Sequence, residues 1–220
     1  MTVLVEAAVE SLDDALAAVD GGADRLELCL DLNLGGTTPS DDLVATVLER
    51  VDVPVFAMIR PRGGSFVYTY AELSTMLSSI DAMRAAGVDG VVFGVLDEHD
   101  AIDRSATETL VAAADGLSIS FHRAFDRVAD QGDALETLIE LGVHRVLTSG
   151  GALDALAGVN ALRDLVEHAR DEIIILAGGG VRPRTAREIV EESGAREVHA
   201  RCERDADRIR GIKRELEGED

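Results

Sequence analysis

The chain has 220 residues, 46% of them hydrophobic and 29% charged, enough apolar material for a sizeable core and too much for wholesale disorder. Asp and Glu number 42 against 21 Lys and Arg, a formal net charge of −21, and that excess excludes a broad nucleic-acid-binding surface and an anionic membrane face. Cys29 and Cys202 are too few and too far apart for a disulfide framework or a zinc ribbon.

Short β-branched runs alternate along the chain with longer alanine-rich stretches of helical period. Candidate strands begin near Val3, Arg25, Val53, Asp89, Leu117, Arg145, Ile173 and Glu197, at intervals that each hold one strand and one crossover helix. A second pattern runs through them with a period of two units. Gly22-Ala23-Asp24, Gly87-Val88-Asp89, Gly142-Val143-His144 and Gly194-Ala195-Arg196 lead into the even strands, where glycine suits the left-handed end of a helix. The odd strands follow acidic turns at Asp52, Asp115 and Asp171. Eight units, paired in this way and without a Gly-x-Gly-x-x-Gly after the first strand, predict a single-domain (β/α)8 barrel over 1–220 rather than an open doubly wound sheet. The charged stretch from Glu203 to Asp220 has helical period and supplies the last helix. Glu6 and Glu10 interrupt the first apolar run, so no signal peptide is expected, and no apolar run is long enough to span a bilayer. The expectation is an acidic, cytoplasmic protein. Arginine supplies all but one of the basic residues, a bias that suits a salt-rich cytoplasm or reflects a GC-rich genome.

In such a barrel, polar residues at strand C-termini face the active-site mouth. Taken in chain order they are Glu6, Glu27 with Cys29, Arg60 with Arg62, His122 with Arg123 and Asp126, Ser149, Gly178-Gly179-Gly180 with Arg182, and His199. Glu6 and Glu27 lie in apolar strands, where a buried carboxylate is costly unless it is paired or used. Either could pair with Arg25, Arg60 or Arg123 in an ionic network that only fixes the core. Alternatively the two divide acid and base roles or share a divalent metal, with His122 and His199 as partners. Arg60, Arg62, Arg123, Asp126, Ser149, the triple glycine and Arg182 form a candidate site for a small anionic ligand, because a glycine-rich turn ahead of a helix can present backbone N–H groups to a phosphate. A turn with no ligand is the plainer account of the glycines. Cys29 is the one soft metal ligand in the mouth, and with His199 and Cys202 it could hold Cu(I); as a lone buried thiol it would simply fill the core. Met58 should face inward as core. His99, His144 and His168 are expected on turns or helix faces, in solvent.

Several stretches, in order from Glu6 to His199, resemble the CutC family, named for copper homeostasis. They include Gly21 to Cys29, Gly35-Gly36-Thr37-Thr38-Pro39-Ser40, Ile59-Arg60-Pro61-Arg62-Gly63-Gly64, Gly90 to Leu96, Phe121-His122-Arg123-Ala124-Phe125-Asp126, Leu147-Thr148-Ser149-Gly150 and Gly178 to Arg182. The resemblance implies a (β/α)8 barrel, a cytoplasmic location, copper-ion binding and self-association as a homo-oligomer. Family members often carry cysteines where this chain has Ala8 and Val67, so of that implied ligand set only Cys29 is present. Two functions from different classes therefore stand side by side. One is a copper-binding homeostasis factor. The other is an enzyme acting on a small anionic or phosphorylated metabolite by isomerisation, aldol-type cleavage or metal-assisted hydrolysis. Imine chemistry is excluded, because the single lysine, Lys213, lies in the terminal helix.

Overall fold

Strand and helix alternate eight times in the computed structural model, which describes residues 2–218; Met1, Glu219 and Asp220, included in the expected domain and last helix, lie outside the described residues. The strands are β1 (Leu4–Val9), β2 (Arg25–Leu28), β3 (Val55–Met58), β4 (Gly90–Phe93), β5 (Ser118–Phe121), β6 (Arg145–Thr148), β7 (Ile174–Gly178) and β8 (Glu197–Arg201). The helices are α1 (Leu12–Asp20), α2 (Asp41–Leu48), α3 (Tyr70–Ala86), α4 (Arg104–Ala113), α5 (Gln131–Glu140), α6 (Val159–Ala169), α7 (Pro183–Ser193) and α8 (Ala206–Glu217). Neighbouring strands pair in parallel, and β8 pairs with β1 to close the (β/α)8 barrel. Gly22, Gly87, Gly142 and Gly194, the lead-ins to the even strands, all take positive φ. The last helix starts later than expected, at Ala206, because Glu203 and Arg204 both sit at positive φ and interrupt the helical path.

Strand alternation sorts the side chains into two layers. Val5, Ala7, Leu26, Leu28, Val91, Phe121, Val146 and Val198 point outward and join the helices in a continuous buried apolar layer. Burying each larger side chain of that kind stabilises the fold by about 1.5–3 kcal/mol. The inward layer mixes a small apolar cluster of Cys29, Phe56, Met58 and Val92 with many polar residues. At the floor, the Phe56 ring lies between the guanidiniums of Arg25 and Arg145, each 4.9 Å from its centroid. Arg25 Nε donates to Glu6 Oε2 at 2.5 Å and its Nη2 to Glu197 Oε2 at 2.5 Å, while Arg145 Nη1 donates to Ser118. This paired floor closes the barrel below and leaves the C-terminal ends of the strands to form the mouth.

Candidate active site at the barrel mouth

The mouth encloses a cavity of about 450 Å3, a size that suits a small metabolite. Glu27, Arg60, His122, Arg123, Arg182 and His199 line it, together with Gly179 and Gly180. They come from five strand ends or the loops that follow them, β2, β3, β5, β7 and β8.

Two carboxylates of the same type meet different fates here. Glu27 points into the cavity, yet it is only 4% exposed and no guanidinium forms an ion pair with it among the described residues. Burial pushes its pKa up to about 7; His199 opposes that shift, and the negative charge of Glu6 adds to it. Glu6 lies mid-strand and fully buried beneath the cavity rather than at its wall, so the expectation that it lines the mouth is corrected. Arg25 and His199 take its two oxygens, at 2.5 and 2.8 Å, and together they outweigh burial and hold its pKa down to about 2. His199 joins the pair: its Nδ1 faces Glu6 Oε1, and its Nε2 lies 4.0 Å from Glu27 Oε1. Burial opposes its charge, but Glu27 and Glu6 prevail and its pKa is raised. Glu6, Glu27 and His199 are clustered closely enough to hold a metal ion. The donor set fits a resident metal poorly, however, since the Arg25 guanidinium already neutralises Glu6 from one side.

The anion candidates divide. Gly179 (φ +101°), Gly180 and Arg182 border the cavity between β7 and α7, and the N–H groups of Gly179, Gly180 and Val181 find no acceptor among the described residues. Arg123 also lines the cavity, but its Nε donates to Asp126 at 2.7 Å and its Nη2 to Ser149 at 2.9 Å. Asp126 does not face the cavity. It accepts from the Thr148 hydroxyl and from the N–H groups of Ser149 and Gly151, so an internal carboxylate already fills the glycine turn after β6. Ser149 is fully buried in that turn and also donates to the Ala152 carbonyl. Gly178 belongs to β7 and faces Leu147, whose Cδ1 would lie 2.3 Å from an added Cβ. Arg62 turns away from the mouth, donating to Glu72 at 2.5 Å and to the carbonyls of Ser65 and Val67. Arg60 keeps its place, with Nη1 on the Leu34 and Gly36 carbonyls and Nη2 on that of Gly64.

The sulfur ligands separate as well. Cys29 is fully buried inside the barrel with Phe56, Met58 and Val92, and its thiol lies 3.6 Å from the Val9 carbonyl. Burial, reinforced by Glu27 and Glu10, raises its pKa and keeps it protonated. Cys202 joins the outer apolar layer, on the other side of the barrel wall. His199 and Cys202 are three residues apart, and odd spacing along an extended strand points side chains to opposite faces, so the Cys29/His199/Cys202 site does not assemble. Of the three histidines expected in solvent, His144 instead accepts from the Ile119 N–H at 3.0 Å and His168 pairs with Glu136. Arg201 and Phe66 line the cavity and were missed by sequence reasoning. Arg201 follows His199 by two, so the alternation that selected His199 selects it too; Phe66 lies on a loop, where no period applies.

A closed eight-stranded barrel whose mouth combines a buried carboxylate–histidine pair, several arginines and a glycine turn defines a (β/α)8 barrel protein with a polar cavity at the C-terminal ends of its strands. The CutC family model matches residues 3–203, and this chain belongs to the CutC family. It is 46% identical over 205 residues to the human copper homeostasis protein cutC homolog, covering 92% of this chain and 75% of that protein. A CutC family protein of Caulobacter vibrioides is also 46% identical, over 90% of this chain and 80% of its own length. The crystal structure of the putative copper homeostasis protein CutC from Streptococcus agalactiae superposes with a TM-score of 0.85 at 35% identity, covering 90% of this chain and 98% of that one.

Proposed function

We propose that the barrel mouth is an enzyme site that performs acid–base chemistry on a small anionic metabolite. The observation that carries this reading is the Glu6–His199–Glu27 chain, in which one carboxylate is spent on orienting the imidazole and the other is left in the cavity with a pKa near 7. A general acid or base works best with a pKa near the working pH, so Glu27 is the proton carrier. His199 is its partner, held by Glu6, and the two carboxylates raise its pKa. The substrate's anionic group docks at the N–H groups of Gly179 to Val181, with Arg182 at the rim. In a protein of net charge −21, four arginines at one mouth (Arg60, Arg123, Arg182 and Arg201) make a local basic funnel for anions.

The anion half is tested by thermal unfolding in inorganic phosphate. Gly179→Val is a poor probe, because φ +101° strains any side chain before an anion is considered. Arg182→Ser is better: serine caps α7 well while the charge is removed. Phosphate should raise the melting temperature of the parent clearly more than that of Arg182→Ser. Equal protection of both, or of neither, would sink the docking site.

Copper as bound cargo is the second reading, favoured by one feature besides the family name. Cys29 and Met58 belong to one small buried cluster inside the barrel, and a Cβ added at Gly36 would lie 3.4 Å from Cys29 Sγ and 3.2 Å from Met58 Cε. Stoichiometric Cu(I) uptake lost in both Cys29→Ser and Met58→Leu would support it. Uptake unchanged in Cys29→Ser would remove it.

A further inference from the structure

Acid–base chemistry at Glu27 and an anion at Gly179 leave two buried donors in the same cavity unused. The first is His122. The chain leaves β5 and turns through a short 3-10 segment, Arg123–Arg127, and His122 precedes that turn. Its Nδ1 accepts the N–H of Ala124 at 3.2 Å. A ring nitrogen that accepts carries no proton, so the proton of the neutral imidazole lies on Nε2. The ring is held in place on several sides. Phe66 lies 5.0 Å away between centroids and Phe121 6.1 Å, and a Cβ added at Gly94 would come within 2.5 Å of the Nδ1–Cε1 edge. Nε2 is buried and finds no acceptor among the described residues.

The second is Arg60, which is 3% exposed. Its terminal nitrogens donate to the Leu34, Gly36 and Gly64 carbonyls, and its guanidinium stacks over the same Phe66 ring at 4.8 Å. Its Nε is likewise buried and unpartnered. Leaving a buried donor unmade costs about 1–3 kcal/mol. The two residues line one cavity and pack on one phenylalanine, a place where an acceptor oxygen from outside the chain would satisfy both donors.

We propose that the Nε2–H of His122 and the Nε–H of Arg60 receive the carbonyl oxygen of the substrate, and that Glu27 abstracts a proton from the carbon beside that carbonyl. This rests on reading the mouth as an acid–base site, and it names the substrate class: a small carbonyl compound carrying a phosphate or carboxylate. The step balances within the site. The C–H proton passes to the Glu27 carboxylate, and the C–H electron pair becomes a C=C bond. The carbonyl π pair moves onto oxygen, whose negative charge the two donors share. The Glu27 carboxylic acid then returns the proton to the same carbon. With an α-hydroxy carbonyl compound it can instead protonate the former carbonyl carbon, while the hydroxyl proton passes to the former carbonyl oxygen. The first outcome is hydrogen exchange with solvent, the second an isomerisation. No oxidant or metal enters. Burial, with Arg60 adding to it, holds the His122 pKa down to about 3, so this donor stays uncharged while Glu27 titrates.

Two measurements on the full chain test the proposal. Long-range 1H–15N spectra of the histidines should show His122 neutral and protonated on Nε2 from about pH 5 to 8. A proton on Nδ1, or titration within that range, overturns the proposal without any ligand being needed. The second uses 2-phosphoglycolate, whose carboxylate stands in for the enolate oxygen, against inorganic phosphate. In the parent, 2-phosphoglycolate should bind at least about tenfold tighter than phosphate. His122→Phe should erase that advantage and leave phosphate affinity unchanged, and His122→Gln, which keeps an N–H donor, should retain part of it. No advantage in the parent, or equal loss of both ligands in His122→Phe, overturns the role of His122. If inorganic phosphate fails to bind while His122 has the expected tautomer and 2-phosphoglycolate still depends on it, the docking of the anion at Gly179 fails and the carbonyl receptor stands.

Discussion

Glu6, Glu27 and His122 are all nearly excluded from water, yet each holds a different charge because each has different neighbours. Glu6 meets a guanidinium and an imidazole, Glu27 meets only His199, and His122 meets a cation and aromatic rings. The consequences for stability have opposite signs. The folded-state pKa of His122 is depressed, from 6.5 to about 3, so the unfolded chain binds the extra proton. Its contribution is therefore fully present above about pH 6.5 and is lost as pH falls toward 3. Relative to His122→Gln, the parent should lose up to about 1.4 kcal/mol of unfolding free energy per pH unit in that window. Urea titrations of both proteins at a series of pH values measure it, and parallel pH profiles would mean that His122 is not buried as a neutral ring. Glu6 acts lower. Its pKa falls from 4.5 to about 2, so the stability it contributes is present above pH 4.5 and is lost between 4.5 and 2. Glu27 runs the other way: its raised pKa favours the folded state below pH 4.5, and that stability is lost as pH rises from 4.5 to about 7.

At the scale of elements, the floor of the barrel depends on β4 starting with glycine. A Cβ at Gly90 would lie 2.7 Å from the Ser118 carbonyl oxygen and 2.8 Å from the Phe56 ring. That ring is fixed between Arg25 and Arg145, which are in turn tied to Glu6 and Glu197, so it has nowhere to move. Gly90→Ala is accordingly an overpacking mutation and should destabilise the protein by about 1–3 kcal/mol. The expected result is a lower midpoint in urea with an unchanged slope. A midpoint equal to that of the parent would show that the sandwich is loose. Because Glu6 is part of this floor and also orients His199, the substitution should shift the His199 pKa as well, which histidine NMR can follow.

For the whole molecule, charge dominates. Exposed pairs such as Arg104–Glu140, Arg163–Glu192 and Arg196–Asp171 compensate some acids locally. With 42 acidic residues and 21 basic ones, at least half the carboxylates still have no basic partner of their own. Self-repulsion reaches farthest at low salt, where the screening length is about 30 Å at 0.01 M. Melting temperature should therefore rise between about 0.01 and 0.5 M sodium chloride. A flat profile would mean that repulsion is spread too thinly over the outer helices to matter.

Most of the barrel was legible in the chain because it depends on short-range rules. Unit spacing counts the strands, glycine lead-ins mark helix ends, and alternation says which residues face inward; of the fourteen residues read from strand ends, eight line the cavity. What those rules cannot say is who meets whom inside. The fate of Glu6 depends on Arg25 from the next strand and on His199, which is 193 residues away and arrives only when β8 closes on β1. Arg62 and Asp126 looked like ligands because they end strands, but each found an internal partner, Glu72 for one and the β6 turn for the other. The neutral state of His122 and its free Nε2 follow from a single N–H of Ala124 and from rings on neighbouring elements. Burial and charge pairing are properties of the closed barrel, and they decided which polar residues were left unpaired and therefore available for chemistry.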